Sequence, residues 1–322
     1  MKRRRFLEVL GGTLAGAMVP AGLRAGATSA SVFSRASATD EAFVERWSWA
    51  MGQPVHLQLF ARSESAGYEA AQAALTELRR VEHLLSRFDD TSELSELNRR
   101  AGRAALKPGP DLLAVLNAAA HYYRITDGAF DVAVEPLMRA WGFHAPRRSE
   151  PSAAEVAEAR GEVRAAHIDL KEGRARLRTR ATQLDLGGIG VGHGLDRAAA
   201  VLSAAGVRRA LIDVSGDCLA LDPPPGETGW RVGVADPDRP GATIGSTLLC
   251  RSALATSSNL VSVVRYGQVV RGHVMDPASG WPAERCRQVT VVADSGTAAD
   301  ALSTAALVNP KALALVRRSW VV

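Results

Sequence analysis

The amino-acid sequence predicts an α+β fold in which mixed or antiparallel sheets pack against helices. Two observations lead to this class. Apolar residues alternate with period two in several segments, as at Val55, Leu57 and Leu59, which is typical of half-buried strands. Helical segments lie among the strands without the strict β-α-β alternation that predicts a doubly wound parallel sheet. The composition, 47% hydrophobic and 23% charged, is that of an ordinary globular protein.

Four elements are predicted in the first half of the chain. A strand is expected over 47–59 and a helix over 65–88, where apolar residues recur at helical spacing. Asp111 is placed to cap a second helix. The apolar stripe of that helix consists of Leu112, Leu116, Ala119 and Tyr123. Ser152 and Glu155 have capping-box spacing, which predicts the start of a third helix.

The second half is predicted to be mostly strand. The expected strands are 167–170, 175–178, 183–186, 210–214, 218–221, 230–234, 246–255, 262–266 and 288–292. A helix is expected from about Gly192 to Gly206, because glycine commonly follows the end of a helix. A last helix is expected over 298–308. This pattern shows no firm boundary between domains.

The first thirty residues have the features of an export signal. Residues 1–7 read MKRRRFL, a basic start with a twin arginine, and an apolar stretch rich in glycine and alanine follows over 9–23. That stretch is too short and too weakly apolar for a membrane span of about 20 residues. No cysteine lies near the small-residue sites at 25–30, which disfavours a lipid anchor.

We therefore expect a twin-arginine-type signal over 1–30, a linker over 31–44 and a single domain over 45–322. The protein is expected to be exported to the periplasm or another extracytoplasmic compartment, without a lipid anchor and with no transmembrane segment in the mature chain. Its three cysteines include no C-x-x-C pair, which excludes a disulfide scaffold and a zinc ribbon.

The basic balance of the chain belongs mainly to this signal. The full sequence has 39 Lys+Arg and 34 Asp+Glu, a net charge of +5. Five of the basic residues and one acidic residue lie in residues 1–27, so the remainder has 34 basic and 33 acidic residues and a net charge of +1. A nearly neutral domain lacks the basic footprint of a nucleic-acid-binding protein. We therefore expect no nucleic-acid partner.

Two segments carry residues suited to binding a nucleotide or a metal. The turn 184–192 reads LDLGGIGVG, and it either cradles a phosphate or only packs a helix against a strand. Asp300 and Thr304 lie four residues apart on one helical face, and their oxygens are hard ligands suited to Mg²⁺. In an equally good interpretation, Asp300 offsets the dipole of its own helix and Thr304 bonds back to the backbone.

Two more segments are candidates for a site. His273 precedes a Pro/Gly turn and is a side chain suited to accept a proton at neutral pH, although a single histidine at a strand end is more often structural. Asp276 is suited to cap that turn. Gly128 fits the left-handed stop of a helix; the backbone of 129–131 is then free to meet a ligand, or the segment is simply a helix end with aromatic packing.

Seven short motifs, taken in order, resemble the ApbE family of FAD:protein FMN transferases. The motifs are 86–98 (SRFDDTSELSELN), 128–143 (GAFD to WGF), 185–189 (DLGGI), 215–217 (SGD), 256–257 (TS), 273–282 (HVMDPASGWP) and 299–304 (ADALST). The resemblance covers roughly residues 45–310 and implies an α+β fold whose two intimate lobes enclose an FAD cleft. It also implies a Mg²⁺-dependent reaction in which FMN passes from FAD to a threonine or serine hydroxyl of a target flavoprotein, with release of AMP.

The resemblance assigns roles to individual residues. It implies that Asp300, Thr304 and the backbone carbonyl of Gly188 are metal ligands. It implies that His273 is the base for the incoming hydroxyl. Residues 129–131 would hold the adenosine end of FAD. The full set implied to line the FAD site is Met51, Phe88, Ala129, Phe130, Asp131, Asp185, Val191, Thr256 and Ser257.

The chain departs from the family's pattern at several positions. Val191 stands where the family commonly has a lysine that faces the nucleotide, and Ser258 stands where a T-S-G turn has glycine. Ala278 replaces a usual basic residue. Three functions therefore stay open: the FMN transferase, a non-catalytic FAD-binding relative, and a Mg²⁺-dependent pyrophosphatase that splits FAD into FMN and AMP.

Overall fold

A seven-stranded sheet forms the centre of the computed structural model, which describes residues 41–144 and 146–322. In chain order the elements are β1 (Ala42–Ala50), β2 (Gln53–Ala61), α1 (Glu64–Leu85), α2 (Glu93–Arg99), α3 (Pro110–Ile125), α4 (Glu135–Ala140), α5 (Ala153–Ala165), β3 (Ile168–Lys171), β4 (Arg174–Leu177), α6 (Gly190–Ala204), β5 (Arg209–Val214), β6 (Asp217–Ala220), β7 (Trp230–Ala235), β8 (Thr243–Leu249), β9 (Ser252–Ser258), β10 (Val263–Tyr266), β11 (Val269–Gly272), β12 (Gln288–Ala293), α7 (Gly296–Val308), a short 3₁₀ helix (Pro310–Leu315) and β13 (Arg318–Val321). The predicted signal over 1–30 and most of the predicted linker over 31–44 lie outside the described residues.

The strands of the main sheet follow the order β1-β2-β5-β6-β9-β12-β13, and every neighbouring pair is antiparallel. Three hairpins, β3-β4, β7-β8 and β10-β11, form separate two-stranded sheets. This arrangement confirms the predicted α+β class. In the part of the chain that the structure describes, no helix is both long enough and apolar enough to cross a membrane.

The main core lies between one face of the sheet and the helices α1, α6 and α7. Leu57 and Leu59 of β2 and Leu75 and Leu78 of α1 are fully buried there. Burial of one such side chain contributes about 1.5–3 kcal/mol. On the opposite face, the β7-β8 hairpin packs Trp230 into a second apolar cluster. The sheet is therefore covered on both faces over much of its area.

A third apolar cluster holds the segment around α4 and α5 together. Trp141 is fully buried at its centre, and its Nε1–H donates a hydrogen bond to the carbonyl oxygen of Gly280 at 2.9 Å. The indole ring also packs edge-on against Trp281, with ring centroids 4.9 Å apart. The hydroxyl of Tyr266 donates to the carbonyl oxygen of Trp141. These contacts fix the turn 276–281 against α4.

Two strands that the sequence analysis predicts as continuous are hairpins in the structure. The segment 47–59 divides into β1 and β2 at Met51 and Gly52, whose φ angles are 57° and 68°. The segment 246–255 divides into β8 and β9 at a turn where Arg251 has a φ of 45°. Neither turn contains the Asn-Gly or Asp-Gly pair that usually marks a hairpin. The helices α2 and α4 and the strands β11 and β13 are also absent from the sequence prediction.

The predicted strand over 183–186 is wrong, because a side chain takes the place of a neighbouring strand. The N–H of Leu184 donates to Oδ1 of Asn98 at 2.8 Å, and Nδ2 of Asn98 donates to the carbonyl oxygen of Leu184 at 3.0 Å. The N–H of Asp185 then donates to the carbonyl oxygen of Val132 at 2.8 Å. The segment is extended and fixed, but it belongs to no sheet.

The helix ends are partly as predicted. Ser152 and Glu155 form the predicted capping box, and Gly206, with a φ of 82°, follows the end of α6. Asp111 does not cap α3, because Gly109 occupies the cap position. The carboxylate of Asp111 instead lies 3.0 Å from Nε2 of His193 and 2.7 Å from Nη2 of Arg80. Tyr123, predicted in the apolar stripe, is 51% exposed.

Helices α6 and α7 cross at two glycines. A Cβ on Gly192 would overlap the carbonyl oxygen of Gly296, and a Cβ on Gly296 would overlap that of Gly192. Asp196 of α6 then caps α7, because its two carboxylate oxygens accept from the N–H groups of Gly296 and Thr297 at 2.7 and 2.9 Å. The first turns of the two helices are thereby held in one fixed relation.

Substitution of Gly192 by alanine tests this crossing. We expect Gly192→Ala to lower the free energy of unfolding by about 1–3 kcal/mol, because a methyl group has no space between the two backbones. Gly190→Ala is the matched control, since a Cβ there meets nothing within 4 Å. The control should stay within about 1 kcal/mol of the parent chain. Urea denaturation measures both, and equal stability of the two variants would contradict the prediction.

Candidate functional site

The carboxylate of Asp300 lies beneath the start of α6. Asp300 is 6% exposed, and its Oδ2 accepts a hydrogen bond from the N–H of Gly192 at 2.9 Å. Burial raises the pKa of Asp300 to about 7, although hydrogen bonds from the backbone of Gly192 and Val191 act in the opposite direction. Asp300 is the fifth residue of α7 and faces the N-terminus of α6 rather than that of its own helix. This excludes the interpretation in which it only offsets its own helix dipole.

A chain of hydroxyl groups runs from Thr304 toward Asp300. Ser303 Oγ donates to the carbonyl oxygen of Asp300 at 2.9 Å, since a carbonyl oxygen cannot donate. Ser257 Oγ lies 2.8 Å from Ser303 Oγ and 3.0 Å from Thr304 Oγ1. A hydroxyl has one proton, so Ser257 donates to Ser303 and Thr304 donates to Ser257. The lone pairs of Thr304 are then left for a cation.

Gly188 meets the same group of atoms from the glycine-rich turn. A Cβ at Gly188 would lie 3.0 Å from Thr304 Oγ1 and 3.4 Å from the ring of Phe130. Backbone, hydroxyl and carboxylate oxygens are therefore present on two segments that contact each other at Gly188 and Thr304. Among the described residues, no group of three or more His, Cys, Asp or Glu side chains is arranged to hold a metal. The oxygen set suits a hard cation such as Mg²⁺, which takes few protein ligands and keeps water or phosphate in its other positions.

The end of α3 places Phe130 and Asp131 beside this group. Gly128 has a φ of 77°, as predicted for a helix stop, and Thr126 Oγ1 accepts from the N–H of Phe130 at 3.1 Å. Oδ1 of Asp131 accepts from the N–H of Ala133 at 2.8 Å. Burial raises the pKa of Asp131 to about 6. Raised pKa values of this kind are common among residues of binding sites.

Asp185 belongs to a cluster of charged side chains. Its Oδ2 lies 3.6 Å from Arg87 Nε and 3.7 Å from His144 Nε2. Arg87 and His144 also contact the buried Glu135, at 3.1 and 3.4 Å. Burial alone would raise the pKa of Glu135, but the hydrogen bond from His144 and the nearby arginines outweigh it and lower that pKa. The ring of Phe88, 66% exposed, lies edge-on to His144 at 6.2 Å.

His273 lies beside Phe143, and the centroids of the imidazole and phenyl rings are 6.5 Å apart. Burial lowers the pKa of His273, while a backbone hydrogen bond at Ser262 and the charge of Asp185 act in the opposite direction. Nδ1 of His273 is buried and has no hydrogen-bond partner in the described part of the chain. The imidazole is therefore neutral at neutral pH and has a ring nitrogen free to accept a proton.

The comparisons with known proteins agree with this geometry. A family model described as the ApbE family matches residues 51–321. The chain belongs to the ApbE family. It is 30% identical over 295 residues to the FAD:protein FMN transferase of Treponema pallidum, covering 83% of this chain and 79% of that protein. It is 31% identical over 217 residues to the FAD:protein FMN transferase of Rhodobacter capsulatus, covering 66% of this chain but only 41% of that protein.

Solved structures of ApbE proteins have the same fold. The ApbE protein of Thermotoga maritima is similar with a TM-score of 0.76 and 29% identity, over 83% of this chain and 87% of that chain. The apo flavinyl transferase ApbE of Pseudomonas stutzeri is similar with a TM-score of 0.75 and 26% identity, over 87% of this chain and 91% of that chain. The family resemblance stated from the motifs is confirmed.

Other predicted residues of this ApbE family member lie around the site in different ways. Ser257 faces Thr304, whereas the hydroxyl of its neighbour Thr256 contacts Thr290 Oγ1 at 2.8 Å, because successive residues of a strand point to opposite faces. The N–H of Thr256 donates to the carboxylate of Asp217 at 2.9 Å. Thr256 therefore positions the strand with its backbone, and its hydroxyl does not reach the hydroxyl chain.

Met51 packs against α6, and Val191 is the second residue of that helix. A Cβ at Gly194 would lie 3.4 Å from Cε of Met51, so the methionine packs on the first turns of the helix. Met51 has a left-handed backbone, and its N–H donates to Glu82 Oε2 at 2.8 Å. Val191 is partly buried against the core and bonds Asp300 through its backbone. That backbone contact does not depend on the lysine that the family commonly has at this position.

The other departures from the family pattern are accommodated locally. Ser258 Oγ donates to the carbonyl oxygen of Arg287 at 3.1 Å and accepts from the N–H of Leu260 at 3.2 Å. The N–H of Ala278 donates to Oδ1 of Asp276 at 2.9 Å, which confirms that Asp276 caps the turn.

Five residues of the site were not singled out from the sequence. They are Arg87, Glu135, His144, Asp217 and Ser303. All but His144 lie inside the motifs that carry the family resemblance, so the signal was present. Their contacts join segments far apart in the chain, and only the structure shows those contacts.

Asp131 gives a test of the burial at this site. The pKa of Asp131 in the folded chain, about 6, lies above the ordinary 3.8. Below pH 4 the carboxyl group is protonated in both the folded and the unfolded chain, so its burial does not lower the free energy of unfolding. Between about pH 4 and pH 6 that free energy falls, and above this range the loss reaches up to about 3 kcal/mol. We expect Asp131→Asn, which keeps the acceptor for Ala133, to be more stable than the parent chain at pH 7.5 but not at pH 4. Urea denaturation at both pH values measures the difference.

Asp127→Asn is the control for this comparison. Asp127 is exposed and has a φ of 56°, which asparagine tolerates. We expect the same small effect of this substitution at both pH values. A stability difference for Asp131→Asn that did not change with pH would contradict the prediction.

Proposed function

We propose that this chain is a Mg²⁺-dependent FAD:protein FMN transferase. In this reaction FMN moves from FAD to a threonine or serine hydroxyl of a target flavoprotein, and AMP is released. The relatives in Treponema pallidum and Rhodobacter capsulatus are named FAD:protein FMN transferase. The observation that supports the proposal is the contact of Gly188 with Thr304 and Phe130, one helical turn from the buried carboxylate of Asp300 on the same face of α7. We also propose export through the twin-arginine-type signal over 1–30.

The proposed reaction exchanges one phosphorus–oxygen bond for another. The acceptor hydroxyl oxygen bonds to the phosphorus of the FMN half, and the bond from that phosphorus to the bridging oxygen breaks. AMP leaves with the bridging oxygen, and the hydroxyl proton passes to Nδ1 of His273. Positioning and charge neutralisation supply most of the catalysis in reactions of this kind.

The residues present fit the metal that the family implies. Asp300 is a buried carboxylate that lacks a cationic side-chain partner among the described residues, and Thr304 directs its proton toward Ser257. Asp300, Thr304 and the backbone of Gly188 would hold Mg²⁺. When bound, the ion supplies positive charge to the pyrophosphate oxygens.

FAD would be held by the residues around this point. Phe130 lies beside Gly188, Asp131 follows it in the chain, and Asp185 follows Leu184, which Asn98 holds by two hydrogen bonds. His273 and Asp131 are each only partly exposed, and Nδ1 of His273 is buried, which indicates a site from which water is partly excluded. A hydroxyl from a protein partner would have to enter from the side of His273.

Asp300→Asn tests the metal assignment. The amide oxygen can still accept from Gly192, so the crossing of α6 and α7 is retained while the charge is removed. We expect FMN transfer to fall at least about 100-fold and Mg²⁺ stimulation to disappear. Asp294→Asn, at an exposed carboxylate just before α7, is the control and should keep its Mg²⁺ dependence. Unchanged Mg²⁺ stimulation in Asp300→Asn would exclude this residue as a ligand.

His273→Gln tests the base. We expect a loss of about 10²–10⁴ in kcat with little change in the Kd for FAD. In the parent chain kcat should rise with pH through a midpoint below 6.5 and then stay level, because burial lowers the pKa of His273 and only the neutral ring accepts a proton. A midpoint well above 6.5 would contradict the assignment.

One incubation separates the three functions that the sequence leaves open. Purified protein is mixed with FAD, Mg²⁺ and a peptide that contains D-x-x-[ST]-G-A-[ST], the acceptor pattern that the family resemblance implies. Covalently yellow peptide supports the transferase, and free FMN with unmodified peptide supports the pyrophosphatase. Bound, intact FAD supports the non-catalytic relative. Failure to bind FAD would refute the assignment of the site.

A further inference from the structure

An arginine-lined cleft lies beside the segment that carries Asp185. Its volume is about 420 Å³, and four arginines contribute to its wall. They are Arg87, Arg99, Arg103 and Arg180. Polar side chains of Asn98 and Gln183 form part of the same wall. Nothing in the proposed transfer of FMN uses Arg99, Arg103 or Arg180.

The four guanidinium groups differ in how they are neutralised. Arg99 is paired with Glu96, and Arg87 is paired with Glu135. Arg103 and Arg180 are exposed, and neither side chain makes an ion pair or a hydrogen bond within residues 41–144 and 146–322. Asp90 is the acidic side chain that lines the cleft. The cleft therefore has positive charge in excess over its own carboxylates.

The loops that carry the two unpaired arginines are rigidly joined. The N–H of Gly102 donates to the carbonyl oxygen of Leu177 at 2.9 Å. A Cβ at Gly102, where φ is 68°, would lie 2.7 Å from both Cγ and the backbone nitrogen of Arg180. Thr182 is fully buried, and its Oγ1 lies 2.8 Å from Oγ1 of Thr179, a contact that fixes the turn 179–182. The spacing of Arg103 and Arg180 is thus set by the fold.

The cleft shares its wall with the candidate site. Asn98 clamps Leu184, the residue before Asp185, and Gln183 Nε2 donates to the carbonyl oxygen of Asn98 at 3.1 Å. Arg87 lines the cleft and also lies 3.6 Å from Asp185. A polypeptide that presents a hydroxyl at the site therefore passes next to the cleft.

We propose that this cleft binds carboxylates of an acidic segment next to the acceptor hydroxyl of the protein substrate. Guanidinium groups pair with carboxylates through two parallel hydrogen bonds, and an open, preformed cleft with two unpaired arginines suits a chain of exposed Asp or Glu. This inference rests on the proposed function, because it concerns the second substrate of the same reaction. Arg103 and Arg180 act in recognition and touch no reacting atom.

Two acceptor peptides and one double variant test the proposal. Both peptides contain D-x-x-[ST]-G-A-[ST]; one is flanked by glutamates and the other by glutamines. We expect the parent chain to have a KM about tenfold lower for the glutamate peptide, with similar kcat, and Arg103→Gln/Arg180→Gln to lose most of this preference. The preference should also weaken with added salt. The Kd for FAD should be the same in both proteins.

Arg62→Gln/Arg231→Gln is the matched control. Both arginines are exposed and lie on other elements, and neither makes an ion pair within the described ranges. This control should keep the full preference for the glutamate peptide. Equal KM values of the parent chain for the two peptides would overturn the proposal. A weaker Kd for FAD in Arg103→Gln/Arg180→Gln would overturn it as well, because the cleft would then belong to the FAD site.

A binding measurement separates this proposal from the proposed function. If the parent chain transfers FMN to neither peptide, the fluorescence anisotropy of labelled glutamate peptide is measured with both proteins. Binding that is lost in Arg103→Gln/Arg180→Gln supports the cleft even though the transferase proposal fails. Equal binding by the two proteins refutes the cleft.

Discussion

The contact between α6 and α7 at Gly192 and Gly296 is the constraint on which the site depends. It brings two helix backbones close enough for the N–H of Gly192 to reach the carboxylate of Asp300 at 2.9 Å. A larger residue at either glycine would separate the helices and remove Asp300 from the N-terminus that stabilises its charge. Asp196 holds the same crossing from the other side by capping α7. The close contact of the two glycines thus packs the helices together and also holds the carboxylate of Asp300 at the N-terminus of α6.

Several carboxyl groups of the site are buried, although burial disfavours their charged form. Burial raises the pKa of Asp131, Asp217 and Asp300, so each carboxylate makes the folded chain less stable at neutral pH than a neutral residue would. The surrounding core, with Leu57, Leu75 and their neighbours fully buried, provides ample stability to offset this cost. The proposed metal site gives a reason for these buried carboxylates, because a bound cation would offset their charge.

The sequence predicts those parts of the fold and site that depend on local patterns. Helical spacing predicts α1, and the capping box at Ser152 predicts the start of α5. The segment before Asp185 escapes prediction, because Asn98 supplies its hydrogen bonds from 86 residues earlier in the chain. The motifs predict the family, but not the hydroxyl chain through Ser257. Contacts of that kind are set by the packing of distant segments, which no local pattern encodes.

Net charge is a poor guide to what this domain binds. Residues 28–322 are close to neutral, yet Arg87 lies beside Asp185 and four arginines, Arg87 among them, line one cleft. Arg87 places its charge beside that carboxylate, and Arg103 and Arg180 leave theirs open to solvent. Because exposed charges are screened within about 10 Å at moderate salt, their arrangement matters more than their sum. A nearly neutral protein can therefore recognise an anionic nucleotide and an acidic chain at adjacent points.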